Sequence, residues 1–315
     1  MKIEDYLPKV QKNVSLAEYN TFKIGGKAQY FFIARNKDNL IKAIKAAKDL
    51  KLPFFILGKG SNILFSDKGF KGLVVNFKFS KCDFKKNKVY AGAGVMLNKL
   101  VRLAKKENLA GMEWAIGIPG TLGGAIYGNA QSFFVRMSDI VESVEALDKR
   151  TLEIKNFSNE GCCFSLKNSI FKKNKNLMII SAVLKLKKGG KKGIEKRIKD
   201  YLSYRRTRHP LKFPSAGSVF INTEIRIENP ELLKRFPELK EFNKKGVIPS
   251  AYLIEKCGLK GRKIGRAQIS DKHANFIINL GGAKAKDVLA LINLAKQEVK
   301  KKFGISLREE IQIIS

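Results

Sequence analysis

The residues of this chain with the clearest capacity to bind a charged ligand are glycines. In Ile116-Gly117-Ile118-Pro119-Gly120-Thr121-Leu122-Gly123-Gly124-Ala125 they recur closely enough to let backbone approach a ligand, and successive exposed N–H groups can form a nest for a phosphate. The segment is neither a GxGxxG dinucleotide fingerprint nor a GxxxxGK[ST] phosphate loop, since no lysine follows the glycines. A plain Gly-rich turn between strands is the alternative. Upstream, Gly58-Lys59-Gly60-Ser61-Asn62 is a second tight turn after a short apolar run, and an ordinary strand-to-helix turn explains it equally well taken singly. Two phosphate-cradling loops in one chain suggest a diphosphate, and a dinucleotide such as FAD fits them.

Other reactive residues form weaker patterns. Tyr204-Arg205-Arg206-Thr207-Arg208-His209-Pro210 is a basic cluster suited to a diphosphate, or a solvated linker. His209 and His273 are the only histidines, too few and too far apart for a histidine metal site. Cys82, Cys162, Cys163 and Cys257 make no CxxC pair and are expected to be reduced, mostly structural thiols of a cytoplasmic protein. A net charge of +34, from 62 Lys and Arg against 28 Asp and Glu, at first suggests a nucleic-acid partner. Most of these charges sit singly or in pairs on helical faces, as at Lys42, Lys45 and Lys48, and no aromatic-interleaved basic stripe appears. The charge therefore bounds the partner's sign, not its identity. The N-terminal residues do not read as a signal peptide, and no apolar run is long enough for a transmembrane helix. A soluble protein is expected.

These residues need elements to hold them. Residues 38–50 carry Leu40, Ile41, Ile44 and Ala47 on one helical stripe, and residues 97–108 and 287–302 repeat that pattern. Phe54 to Leu57, Gly72 to Asn76, the surroundings of Val89, and residues within 140–188 have strand character. A basic helix runs through Ile194, Ile198 and Leu202, and Arg205 to Phe213 reads as a linker. Glu310 to Ile314 closes the chain as a strand. At 315 residues, a 44% hydrophobic content with 21 Phe predicts a well-buried α+β protein of two or three domain-sized units.

Taken in order, several blocks resemble the UDP-N-acetylenolpyruvoylglucosamine reductase family, in its compact second type. Asn20-Thr21-Phe22 with Gly25-Gly26, and Leu57 through Asn62, are similar to its opening blocks. Gly117 through Ala125 with Asn129 resembles its flavin-binding segment. Pro214-Ser215-Ala216-Gly217-Ser218-Val219-Phe220 resembles its catalytic serine motif. Leu253 to Gly261 and Ser270 to Phe276 are similar to its substrate domain. The resemblance covers nearly the whole chain. It implies a two-part FAD-binding unit of the PCMH type plus a separate α+β substrate-binding domain. The boundaries expected are residues 1–70 with 303–315, then 71–199, then 200–302.

The resemblance implies a reaction in two halves: NADPH reduces FAD, then hydride passes to the enolpyruvyl double bond of a UDP-sugar in peptidoglycan precursor synthesis. It assigns Gly58, Lys59, Gly60, Ser61, Asn62, Gly117, Ile118, Pro119, Gly120, Thr121, Gly123, Gly124 and Asn129 to FAD. Ser218 matches the proton donor, although a serine in a Gly-Ser turn is otherwise a structural hydroxyl. Glu310 matches the glutamate that helps hold the substrate carboxylate as an enol-like form; adjacent Glu309 is not separated from it by strand alternation. Arg208, Asn222 and His273 match substrate contacts. The pattern departs at Ser165-Leu166-Lys167-Asn168-Ser169, where Lys167 stands in place of an arginine and Leu166 in place of its tyrosine neighbour. A lysine offers one compact charge instead of a planar fork, so Arg136 is a second candidate for that role. Gln312 occupies a further position where the family often has arginine. These losses and the high charge define the alternative, a catalytically weakened flavin-fold protein that binds a sugar nucleotide or nucleic acid. The main reading expects a cytoplasmic monomer with no nucleic-acid partner, no membrane insertion and no metal.

Overall fold

A computed structural model describes residues 2–315. The described chain divides into two compact units, one formed by residues 2–14, 27–60 and 70–207, the other by 15–26, 61–69 and 208–315. Two short early segments therefore leave the first unit to build the second.

In the first unit, β-branched and aromatic residues favour a parallel sheet in which strand Phe70–Phe77 lies between Lys27–Ala34 and Phe54–Leu57. Parallel strands of one sheet need a crossover, and helix Lys37–Asp49 supplies the one from Lys27–Ala34 to Phe54–Leu57. Asn36 caps it by accepting a hydrogen bond from the Asn39 N–H at 2.8 Å, and Leu40, Ala43, Ile44 and Ala47 bury its apolar stripe. A five-stranded antiparallel sheet follows, ordered Ile154–Ser158, Val141–Asp148, Leu177–Lys185, Lys88–Gly92 and Cys82–Lys85. Helices Leu97–Lys106 and Leu122–Tyr127 pack into its core with Trp114, Val144 and Leu184. Helix Lys191–Arg208 runs four residues into the stretch expected to be a linker. The physical reason is that Arg205, set at +3 from Leu202, continues the inward-facing stripe and is itself buried.

The second unit is a four-stranded sheet ordered Ser215–Ser218, Phe276–Asn279, Ala267–Ile269 and Lys263–Ile264, covered by the 19-residue helix Ala285–Phe303. Asp67 satisfies the start of that helix, accepting from the Ala285 and Lys286 N–H groups at 2.8 and 3.1 Å. Phe22, Ile24 and Leu64 enter the same core as Val219, Phe220 and Leu291. Asn20-Thr21-Phe22 is part of this frame: Thr21 Oγ1 donates to the Ser215 carbonyl at 2.7 Å, and Asn279 Nδ2 donates to the Phe22 carbonyl at 3.0 Å. The terminal strand is shorter than expected. Gln312–Ile314 pairs in parallel with Ile63–Phe65, whereas the Glu310 N–H turns to the Val219 carbonyl at 2.7 Å.

Candidate active site

The first glycine loop leaves the carboxyl end of strand Phe54–Leu57, the edge of a parallel sheet where ligands bind. Asn76, only 4% exposed, lies opposite Leu57 and donates through Nδ2 to the carbonyls of Leu57 and Gly58 at 3.0 and 2.8 Å. In a trans peptide the carbonyl and the following N–H point in opposite directions, so this grip turns the Lys59 N–H away from Asn76. The Asn76 Oδ1 atom is buried without a partner among the described residues. Such an acceptor costs about 1–3 kcal/mol, which marks Asn76 as retained for what its nitrogen holds. Gly60 has φ +68°, a backbone state that glycine adopts without strain.

The second loop meets the first. A Cβ placed on Gly58 would lie 2.7 Å from Thr121 Oγ1, closer than real atoms approach. Gly117 has φ +80°, and its N–H donates to Asn98 Oδ1 at 2.7 Å. Ile118 is half-buried and Pro119 exposed, whereas Gly120 and Thr121 are buried. Thr121 caps helix Leu122–Tyr127 by accepting from the Gly124 N–H at 3.3 Å. The Leu122 and Gly123 N–H groups are spent on the Val95 and Ala93 carbonyls at 2.8 and 2.9 Å. A Cβ on Gly123 would lie 2.7 Å from the Ala93 Cβ. Gly123 therefore serves close packing rather than offering its N–H to a ligand. The two glycine loops therefore abut, with no room for a side chain at Gly58 against Thr121.

Lys167 stands in a four-residue turn whose ends, Ser165 and Asn168, exchange backbone hydrogen bonds at 3.1 and 3.2 Å. Its φ is +53°, an uncommon state for a lysine. Asn129 ties this turn to the flavin segment: its Nδ2 donates to the Ser165 carbonyl at 3.0 Å, and its Oδ1 accepts from the Ser138 N–H at 3.0 Å. Ser169 Oγ donates to the Tyr127 carbonyl at 2.8 Å, and Lys172 Nζ to the Lys167 carbonyl at 2.9 Å. Asn129 thus has its amide engaged within the protein. Arg136 is exposed, with its N–H on Asp139 at 2.9 Å.

In the second unit Ser218 ends strand Ser215–Ser218, opposite Phe276. The Val219 N–H donates to the Asn275 carbonyl at 2.8 Å, and Asn275 grips both the N–H and carbonyl of Phe220 at 2.8 Å. Because Val219 also receives the Glu310 N–H, residues 91 positions apart in sequence are held in adjacent backbone. Asn62 braces that segment, donating to the Glu310 carbonyl at 3.1 Å and accepting from the Gln312 N–H at 3.0 Å. Glu309, beside Glu310, forms an ion pair with Lys296 at 2.9 Å. His273 stacks edge-on to Phe276, with centroids 4.9 Å apart, and lies 5.7 Å from the His209 ring. Its Nδ1 accepts from the Asn275 N–H at 3.3 Å, and burial pushes its pKa down. Asn222 Oδ1 accepts from the Ser250 N–H at 3.2 Å, so its amide nitrogen is the end that can face a ligand. Arg208, the last residue of its helix, is exposed.

Sequence reasoning missed Asn76, Asn98 and Arg205, all outside the recognised blocks. For Arg205 the helical spacing was the available signal; the two asparagines carried none. Among the described residues no group of three or more His, Cys, Asp or Glu side chains could hold a metal ion.

The fold and loops define a flavoprotein: residues 28–155 match the model of an FAD binding domain, and residues 209–314 match that of the UDP-N-acetylenolpyruvoylglucosamine reductase C-terminal domain. The UDP-N-acetylenolpyruvoylglucosamine reductase of Clostridium novyi (strain NT) is 37% identical over 316 residues, spanning 99% of this chain and 95% of the relative. That of Caldicellulosiruptor bescii is 40% identical, spanning 96% and 90%. The crystal structure of the Thermus caldophilus reductase superposes with a TM-score of 0.77 at 29% identity, covering 98% of this chain and 99% of that one. The chain belongs to the UDP-N-acetylenolpyruvoylglucosamine reductase family.

Proposed function

We infer that this chain is an NADPH-dependent flavoenzyme that reduces UDP-N-acetylglucosamine enolpyruvate to UDP-N-acetylmuramate in peptidoglycan precursor synthesis. The observation that carries the function is kinship with named reductases along almost the whole length of both chains. When bound, FAD supplies the hydride that it has taken from NADPH. In this reading Gly58 to Asn62, Gly117 to Thr121 and Gly124 lie along FAD while Gly123 packs beneath them, and the close approach of Gly58 to Thr121 supports it. Asn129 serves the same site by bracing the Lys167 turn.

Addition of hydride to an enolpyruvyl double bond leaves negative charge beside the carboxylate, and that carbon must then be protonated. Ser218 is the proposed proton donor. A hydroxyl is a weak acid and works only when its placement is fixed, and the hydrogen bonds on Val219 and Phe220 support such placement. Lys167 supplies positive charge to the substrate carboxylate in place of an arginine, and Glu310 helps hold its enol-like form. Arg208, Asn222 and His273 are assigned to the UDP-sugar.

The same reading has a cytoplasmic monomer without a nucleic-acid partner. Four free thiols suit a reducing compartment, and no helix among the described residues is long and apolar enough to cross a membrane. A weakened flavin-fold protein that only binds its ligand is not favoured. The test is direct: purified protein is expected to be yellow and to oxidise NADPH only when the enolpyruvyl sugar nucleotide is added. Colourless protein that takes up no FAD would overturn the reading.

A further inference from the structure

Helix Lys191–Arg208 buries only Ile194 and Arg205 fully. Arg205 is 6% exposed, yet its acceptors are neutral. Its Nε donates to the Ile116 carbonyl at 2.8 Å, and its Nη2 donates to the Trp114 carbonyl at 2.9 Å and to Ser132 Oγ at 3.0 Å. The guanidinium carbon lies 5.3 Å from the Phe133 ring centroid. Among the described residues no carboxylate pairs with it.

A cation buried without a counter-charge is costly. A helix that needed only to pack would carry an aliphatic residue there, as it does at Ile194, Ile198 and Leu202. The same stripe contains the ordinary arrangement for comparison: Arg197 pairs with buried Glu113 at 2.7 Å. What distinguishes Arg205 is its target. The peptide joining Ile116 to Gly117 is held on both sides, its carbonyl by Arg205 and its N–H by Asn98. Gly117 then turns at φ +80°, and a Cβ there would lie 2.8 Å from Arg205 Cδ.

We infer that Arg205 is a positioning residue for the flavin loop, its guanidinium pinning the Trp114 and Ile116 carbonyls so that Gly117 to Thr121 stand ready to receive FAD. The inference rests on the FAD reading above and adds the residue that sets the loop. Arginine suits the task because its planar fork reaches several acceptors at once, whereas lysine presents one point charge. Burial draws its pKa down, but an arginine remains charged at neutral pH.

The test measures FAD affinity of the apoprotein by quenching of flavin fluorescence, together with the thermal midpoint of each variant. Arg205→Gln is expected to weaken FAD binding by about tenfold or more. Arg205→Lys is expected to fall between it and the wild type. At saturating FAD, the rate at which NADPH reduces the flavin should change by less than about threefold, because the residue acts on the loop and not on the transfer. Arg197→Gln, on the same helix face, should lower the thermal midpoint and leave FAD affinity within about twofold. Wild-type affinity in Arg205→Gln would overturn the inference, as would equal weakening by Arg205→Gln and Arg197→Gln. No recovery in Arg205→Lys would also count against it. If Arg205→Gln does not fold, Gly117→Ala probes the contact from the loop side: weakening by tenfold or more supports the inference, and unchanged affinity overturns it. A wild-type protein that binds no FAD would instead sink the flavin reading itself.

Discussion

The two units hold their functional atoms by opposite means. In the first, the groups proposed to meet a ligand are mainly backbone, and side chains support them: Asn76 beneath Gly58, Asn98 and Arg205 beside Gly117, Asn129 against the Lys167 turn. In the second, the groups proposed to act are side chains, Ser218 and Glu310, and much of their support is backbone. Val219 is held by the Asn275 carbonyl and in turn receives the Glu310 N–H. The difference determines where each unit is vulnerable. The second should fail at the named side chain itself, while the first should fail when carbon is added to a glycine or a remote support is cut.

The largest expected effect breaks the second unit at its side chain. Ser218→Ala is expected to slow reoxidation of the reduced flavin by substrate by about 10²- to 10⁴-fold, the range of a lost proton donor. Reduction by NADPH should be unchanged. Stopped-flow absorbance separates the two halves, and equal slowing of both would contradict the assignment. The next effect belongs to the first unit. Gly58→Ala sets a Cβ 2.7 Å from Thr121 Oγ1, which cannot rotate away without losing its cap on Gly124. Overpacking of this kind costs about 1–3 kcal/mol, or about 5- to 150-fold in FAD affinity. Gly124→Ala places its Cβ 3.4 Å from the same oxygen inside a helix and should stay within about threefold. Similar losses from both glycines would remove the close approach of the loops from the explanation.

Lys167 combines the two modes, a side chain offered from a turn that backbone and Asn129 hold. Lys167→Ala is expected to lower kcat by about tenfold, the loss of one charge-assisted contact, and Lys167→Arg to preserve or raise it. Steady-state rates with the enolpyruvyl substrate decide the matter. If neither change has any effect, the position has no part in the reaction.

This contrast also explains how much could be read from the chain. The glycine loops, the helices near 38–50, 97–108 and 287–302, and the serine block were legible because each is local, a spacing or a short motif. The supports were not, because they act across the fold. Asn76 reads as one polar residue ending an apolar strand, and nothing nearby reveals that its amide reaches back to Gly58. Arg205 looked like part of a basic linker because its charge outweighed its helical spacing. Likewise the ion pair of Glu309 with Lys296, on a separate helix, left no local mark in the sequence. Asn20-Thr21-Phe22 was visible as a block, but its work in framing the second unit's sheet depends on contacts with Ser215 and Asn279, far along the chain.

His273 gives the smallest effect and the finest test of the contrast, since it is a side chain assigned to substrate that also serves as a support. Its Nδ1 accepts the Asn275 N–H, which requires a ring unprotonated at that nitrogen. Burial is the main cause of its lowered pKa; Lys260 pushes the same way, while a backbone hydrogen bond and Glu255 oppose them. The folded pKa therefore lies below the unfolded value of about 6.5. As pH falls through that value, the unfolded chain takes up a proton that the folded chain refuses. Stability from the neutral ring is thus fully present above about pH 6.5 and drains away as pH drops toward the folded pKa. The slope cannot exceed one proton, about 1.4 kcal/mol per pH unit. Urea midpoints between pH 7.5 and 5.5 should fall for the wild type and fall less steeply for His273→Asn, the difference isolating this ring from His209 and the carboxylates. Parallel slopes would mean that His273 titrates alike in both states. Its bond to Asn275 would then lend nothing to the segment that carries Ser218.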